Sequence, residues 1–425
     1  MTTDLSPGQA SEPTTPPLDL ESVRQQFPAL QRSGEDGTPI IYADAPGGTQ
    51  VPQRVVQAMT SYLIETNSNI EGEYAASIAT DQLILKAREY GGSFVNGDPV
   101  GVAFGQNMTT LNFLLTRAIG RTLEPGDEIL TTTLDHDANV APWLLLAEDR
   151  GLVVRQVGVT DDLRLDLDDL AAKLTPRTRV VAFTLASNAI GSVSDARQAT
   201  DLAHQAGALA WVDAVAYAAH RRIDVKSIGC DVVLCSPYKF FGPHMGMAWI
   251  RPDLAETLPA ERVRPAGILP PGHRFETGTL SHEALAGFVA AVDHIASLGG
   301  GEDLTTRLTS AYRAISAHEG RLAERFLDGL GQLSGWRLFG PAKYSPTQRV
   351  ATFGLLGSLA PPSSLARQLA ERQVYAWNGN FYALDLVRHL GVDIEEGLLR
   401  LGFCHYNTVE EVDAVLGHLS EMSGS

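Results

Sequence analysis

Between residues 100 and 250 the chain repeats short apolar runs, VGVAF, DEILTTTL, LVVRQVGV, RVVAFTLAS, ALAWVDAV, CDVVLCS and GMAWIR. Helical patterns such as DLDDLAAKL and DARQATDLAHQAG separate them. Val/Ile/Leu-rich strands alternating with helices predict an α/β three-layer sandwich, a mainly parallel sheet covered on both faces. The Gly/Pro-rich stretch RPAGILPPGHRFETGT is too long for a simple connection and predicts a functional loop. After about residue 281 the texture changes to long helical patterns. Strands GWRLFG and QRVATFGLLG, a helix near 362–372, the strand LLRLGFCHYN and a final helix then follow. That order predicts a smaller α+β C-terminal domain over 299–425, after a large domain over 41–298, with Gly300 and Gly301 at the joint. Residues 19–40, with LESVRQQFPAL, are expected to pack on the small domain, and the polar Pro/Thr/Ser-rich residues 1–18 to form a disordered tail.

Composition narrows the function. With 425 residues, 44% of them hydrophobic, there is ample material for a core. A net charge of -17 without a basic stripe argues against a nucleic-acid partner. No apolar run approaches a membrane span, and no hydrophobic signal segment opens the chain. Cys230, Cys235 and Cys404 form neither a disulfide framework nor a metal pair, so a reducing, cytoplasmic setting and no metal are expected. Lysine is scarce: Lys86, Lys173, Lys226, Lys239 and Lys343 are the full set among 33 basic residues.

Ligands of parallel sheets lie beyond the carboxyl ends of the strands, and the polar residues there are Asn107 to Thr110, His136, Asn188, Asp213 and Ser236 to Lys239. Singly, each has an ordinary reading: a helix neighbour for His136, a cap for Thr109, a turn for Asn188, a salt-bridge partner for Asp213, a snorkelling amine for Lys239. Together they supply an amine for a Schiff base, a carboxylate for a pyridine nitrogen, a flat group for a ring and a neutral cradle for phosphate. Pyridoxal 5'-phosphate requires that set. Phe240 and Phe241 beside Lys239 are expected to lower its pKa by desolvation.

The motifs DHDANVAPW, ASNAIGSVSD, WVDAVAYAAH, SPYKFFGPHMG, RFETGT and LGFCHYNTVEEVD, in that order, resemble the fold-type I, class V aminotransferase group, which includes cysteine desulfurases and selenocysteine lyases. The resemblance covers nearly the whole chain from about residue 22, and WNGNFYALDLVRHLG is similar to the cysteine desulfurase-like branch. It implies that Lys239 carries the cofactor and moves the α-proton, His136 stacks on the ring and Asp213 pairs with its nitrogen. Asn107, Met108 and Thr109 at a helix start, with Ser236 and Tyr238, would hold the phosphate. Thr279 is similar to a threonine that reaches the phosphate across a homodimer interface, and Asn188 to a residue near the cofactor's phenolic oxygen or the substrate. Arg400 would bind the substrate α-carboxylate. Gly48 belongs to a small-residue loop, ADAPGGTQ, and Tyr74, Trp377, Asn378 and Tyr382 either line the substrate space or pack.

Two departures stand out. Desulfurases carry a nucleophilic cysteine shortly before the arginine, where this chain reads VYAWNGNFYALD. Cys404, four residues past Arg400 and about 13 Å along a strand, reads as a core residue. Ala216 also replaces a glutamine or histidine that would face the phenolic oxygen, with Tyr217 a possible substitute. The expectation is a carbon-sulfur lyase that cleaves an S-substituted L-cysteine by β-elimination. Alternatives are a decarboxylating oxidative deaminase, an epimerase or aminotransferase, and a non-catalytic binder that kept the cofactor fold.

Overall fold

The computed structural model describes residues 17–35 and 37–423. Most of the predicted tail, residues 1–16, lies outside the described residues, whereas Leu18 packs against the core. After a two-residue strand β1 (Ile41–Tyr42), seven strands build one sheet: β2 (Val102–Gly105), β3 (Glu128–Thr132), β4 (Val153–Val157), β5 (Thr178–Thr184), β6 (Leu209–Asp213), β7 (Val232–Cys235) and β8 (Gly246–Ile250). Their order is β2-β8-β7-β6-β5-β3-β4, and only β8 runs against its neighbours. The predicted, mainly parallel sandwich is therefore the fold.

Side-chain alternation explains why both faces are covered. Val232 and Leu234 enter the core beneath the helix Met108–Gly120, while Val233 and Cys235 enter the opposite core, with Ala87 and Phe94 of the helix Ala75–Val95 and Phe288 of the helix His282–Ala296. Strand β4 closes the sheet at one edge, and its Val153 is correspondingly exposed.

Strands β9 (Trp336–Phe339), β10 (Thr352–Gly357), β12 (Trp377–Gly379) and β13 (Leu398–Gly402) form a second, antiparallel sheet in the order β12-β13-β10-β9, while β11 (Val374–Tyr375) pairs with β1. Phe353 and Leu399 of this sheet pack against Phe326 of the helix Leu304–Leu330, Leu365 of the helix Pro362–Ala370 and Val412 of the helix Val409–Met422. The last strand stops earlier than its apolar run suggests. Beyond Gly402 the backbone turns, with the Cys404 N–H donating to Asn407 Oδ1 at 3.0 Å, so Cys404 sits buried in a turn rather than on a strand. The N-terminal helix Leu20–Gln25 meets this turn: Arg24 donates to the Tyr406 carbonyl at 2.7 Å and pairs with Glu411 at 2.8 Å.

Candidate active site

The topology sends β2, β7, β6, β5 and β3 in one direction, so the residues after them share one edge. There a cavity of about 270 Å³ collects Met108, Thr109, His136, Asn188, Asp213, Ser236, Tyr238, Lys239, Trp377, Tyr382 and Arg400. These eleven come from segments spread over most of the chain. Five other candidates fall outside its lining. Asn107 caps the helix Met108–Gly120 by accepting from the Thr110 N–H at 2.8 Å. Gly48 lies behind, against the Tyr238 ring, and its neighbour Gly47 lines the cavity instead. Asn378 sits on β12 opposite Leu399. Tyr74 is exposed, with its hydroxyl 2.8 Å from Ser68 Oγ. Thr279 lines an adjacent cavity with Gly105, Gln106 and Thr110.

Lys239 stands on a short 3-10 turn after β7. Its Nζ donates to the carbonyls of Pro46 and Gly47 at 2.5 and 3.0 Å. Burial first, then the Arg400 charge, lowers its pKa to about 7 against the pull of Asp213 and Asp44. The pKa moves in the expected direction and burial is its main cause, although Phe240 and Phe241 do not themselves line the cavity. They are fully buried beneath it, Phe240 stacked on Phe94 and Phe241 edge-on to His405, and they fix the backbone that presents the amine.

Asp213 ends β6 and is 3% exposed; burial raises its pKa to about 6, opposed by the Val215 N–H at 2.8 Å and by Lys239. His136 Nδ1 accepts the Ala138 N–H at 3.0 Å, which leaves Nε2 to carry the proton of the neutral ring. Burial, with Lys239 and Arg400, lowers its pKa to about 4, so the imidazole is uncharged at neutral pH. Its loop is fixed from below by buried Asp135, which accepts from Asn139 Nδ2 at 2.8 Å.

At the phosphate end, Ser236 Oγ accepts the Met108 N–H at 3.1 Å. With Asn107 capping Thr110, Thr109 carries the first-turn N–H left for an anion, and it lines the cavity. At the other end Arg400, 5% exposed, donates to the Asn188 carbonyl at 2.9 Å, and its guanidinium carbon lies 3.9 Å from the Phe381 ring centroid. Burial lowers its pKa to about 9. Among the described residues, buried Arg400 Nε and Asn188 Oδ1 have no hydrogen-bond partner, as expected of groups that await a ligand. Ala216 lines the cavity, but Tyr217 does not and cannot stand in for the missing donor there. An amine, a carboxylate, a neutral imidazole and an anion-ready helix start around one cavity fit pyridoxal phosphate.

Sequence reasoning missed Asp44 and Phe381. Asp44 is half-buried, with its pKa raised to about 6 by burial, and its buried Oδ1 is unpartnered among the described residues. The only sequence signal was an acidic residue inside the ADAPGGTQ loop. Phe381 gave none, because an aromatic residue in a loop has no period.

A family model described as aminotransferase class-V matches residues 41–415. A probable cysteine desulfurase of Streptomyces coelicolor is 29% identical, over 95% of this chain and 97% of that protein. The aminotransferase-like protein FGM3 of Gibberella zeae is 30% identical, over 93% and 96%. Among solved structures, the cysteine desulfurase CsdA of Escherichia coli superposes with a TM-score of 0.80 at 25% identity, covering 95% of this chain and 98% of that one. The apo cysteine desulfurase of Thermococcus onnurineus NA1 gives a TM-score of 0.84 at 24% identity, over 96% and 98%, a likeness of fold. With the cavity chemistry and the family match in agreement, this chain belongs to the class-V aminotransferase family and is a pyridoxal-phosphate-dependent enzyme of the cysteine desulfurase-like kind.

Proposed function

We propose that this enzyme is a carbon-sulfur lyase that eliminates the thiol from an S-substituted L-cysteine, releasing pyruvate and ammonia after water addition. The observation that carries this reading is the state of the three cysteines. Cys230, Cys235 and Cys404 are all buried, none lines the cavity, and burial raises each thiol's pKa. A thiol in that state is a poor nucleophile, and elimination requires none. The bound cofactor supplies an aldehyde for amines and a ring that accepts the electron pair left at Cα.

The protein's own groups do the rest. Arg400 holds the substrate carboxylate with a rigid fork of N–H donors. Lys239, with its pKa near 7, takes the α-proton as a general base. Asp213 keeps the proton on the ring nitrogen, and neutral His136 covers the ring face without adding charge. Trp377, Phe381 and Tyr382 line the cavity with aromatic surface suited to the carbon substituent on sulfur. Cysteine desulfurases among the relatives support the same bond as the target.

The test is incubation of the holoenzyme with S-benzyl-L-cysteine. Pyruvate, ammonia and benzyl thiol should appear in equal amounts, with no protein persulfide. Carbon dioxide with an aldehyde would instead establish the oxidative reading, and sulfide from free L-cysteine through a trapped persulfide would establish a desulfurase.

A further inference from the structure

Ala216 lines the active-site cavity, and the next residue, Tyr217, lines a second one of about 760 Å³. One wall is a single face of the helix Leu304–Leu330, where Thr309, Arg313, Ser316, Gly320, Arg321 and Glu324 recur at helical spacing. Arg221 and Arg222 close it from the segment after β6, and Tyr344 from the loop after β9. Gly320 lets that loop approach, since a Cβ there would lie 2.8 Å from the Tyr344 ring. The lining thus holds four guanidinium groups against one carboxylate, in a chain of net charge -17.

The four arginines are not equivalent. Arg222 donates to the Ser93 and Phe94 carbonyls at the end of the helix Ala75–Val95, a structural clamp. Arg221, with its side chain 8% exposed, donates to the His220 carbonyl at 2.8 Å and the Tyr344 hydroxyl at 2.5 Å, and stands 3.6 Å from the buried Glu319 carboxylate. Its Nε has no partner among the described residues. Arg321 reaches only His318 Nδ1, at 3.4 Å, and Arg313 has no hydrogen-bond or ion-pair partner among the described residues. Both are exposed and placed eight residues apart, roughly 12 Å along the helix.

Guanidinium forks match phosphate oxygens, and a concave basic patch on an acidic protein concentrates anions. The half-buried rings of Tyr217 and Tyr344 add apolar walls, and the volume suits a small-molecule ligand. We propose that this cavity is a second ligand site, for a phosphorylated small molecule, with Arg313 and Arg321 as its principal donors. Amino-acid chemistry in the first cavity does not require it.

The experiment is calorimetric titration of the cofactor-loaded enzyme, whose own phosphate cradle is filled, with pyrophosphate at constant ionic strength, and with citrate as the carboxylate control. Pyrophosphate should saturate one site per chain. The double variant Arg313→Ala/Arg321→Ala should weaken it at least tenfold, with the circular dichroism and cofactor absorbance unchanged. Arg325→Ala, on the same helix but outside the lining, should bind as the parent does. Absence of saturation, tighter binding of citrate, or an undiminished affinity in the double variant would overturn the assignment.

Discussion

Lys239 owes its reactivity to where its amine is held. The Nζ rests on two carbonyls inside a cavity that also contains Arg400, and burial and that charge together bring its pKa to about 7. Only the neutral amine attacks an aldehyde, so cofactor uptake by the apoprotein should accelerate as pH rises to about 7 and level off above it. Stopped-flow absorbance measures this directly, and a midpoint near 10 would show the amine to be unperturbed. Arg400 acts at the other end of the substrate. Replacing it with alanine removes a charge-assisted contact of about 1.5–3 kcal/mol, which corresponds to roughly a 10- to 100-fold rise in KM. The kcat should change much less, because no group that moves a proton is lost. A KM unchanged in steady-state assays would take the carboxylate role away from this residue.

At the scale of elements, the phosphate end is set by how closely β8 approaches the start of the helix Met108–Gly120. A Cβ on Gly246 would lie 2.4 Å from the Asn107 carbonyl carbon and 2.8 Å from the Met108 nitrogen, both backbone atoms that cannot swing aside. Gly246→Ala must therefore displace the first helical turn, the one that carries Thr109 and meets Ser236. The expected stability loss is about 1–3 kcal/mol, typical of overpacking. Cofactor affinity should fall at least tenfold, because the N–H groups no longer converge on one point. Thermal unfolding of the apoprotein and equilibrium dialysis of the cofactor separate the two effects. A destabilised variant with parental cofactor affinity would locate the cradle elsewhere.

For the molecule as a whole, legibility followed burial. Most strands of the large sheet were readable because each holds a buried apolar run, the half-exposed edge strand β4 being marked by its valines alone, and the chemistry at their ends was readable because a parallel sheet gathers those ends. The helix Ala75–Val95 escapes a hydrophobic-period reading, since its buried positions include Ser77, Thr80, Arg88, Gly91 and Gly92. Strands β1, β11 and β12 are two or three residues long and exist through their partners, so no local pattern marks them. Asp44 and Phe381 were hard to see for the same reason: Arg400, distant in sequence, defines both, through its charge for Asp44 and through its guanidinium over the ring for Phe381. Those long-range contacts close the cavity. Asn188 Nδ2 donates to the Phe381 carbonyl at 2.8 Å, and the Asp137 N–H donates to the Tyr382 carbonyl at 2.7 Å. Each ties the segment after β12 to the edge of the large sheet, with Phe381 and Tyr382 held at φ of 55° and 57°. Asn188→Ala removes one tie and keeps the backbone carbonyl that Arg400 uses, so the fold should survive with a loss of about 1 kcal/mol. That cost falls on closure, and it should raise KM roughly fivefold and speed amide hydrogen exchange in residues 378–384 while leaving the sheet strands protected. Parental exchange rates in that segment together with a parental KM would show that the Asn188 side chain does not hold the cavity closed.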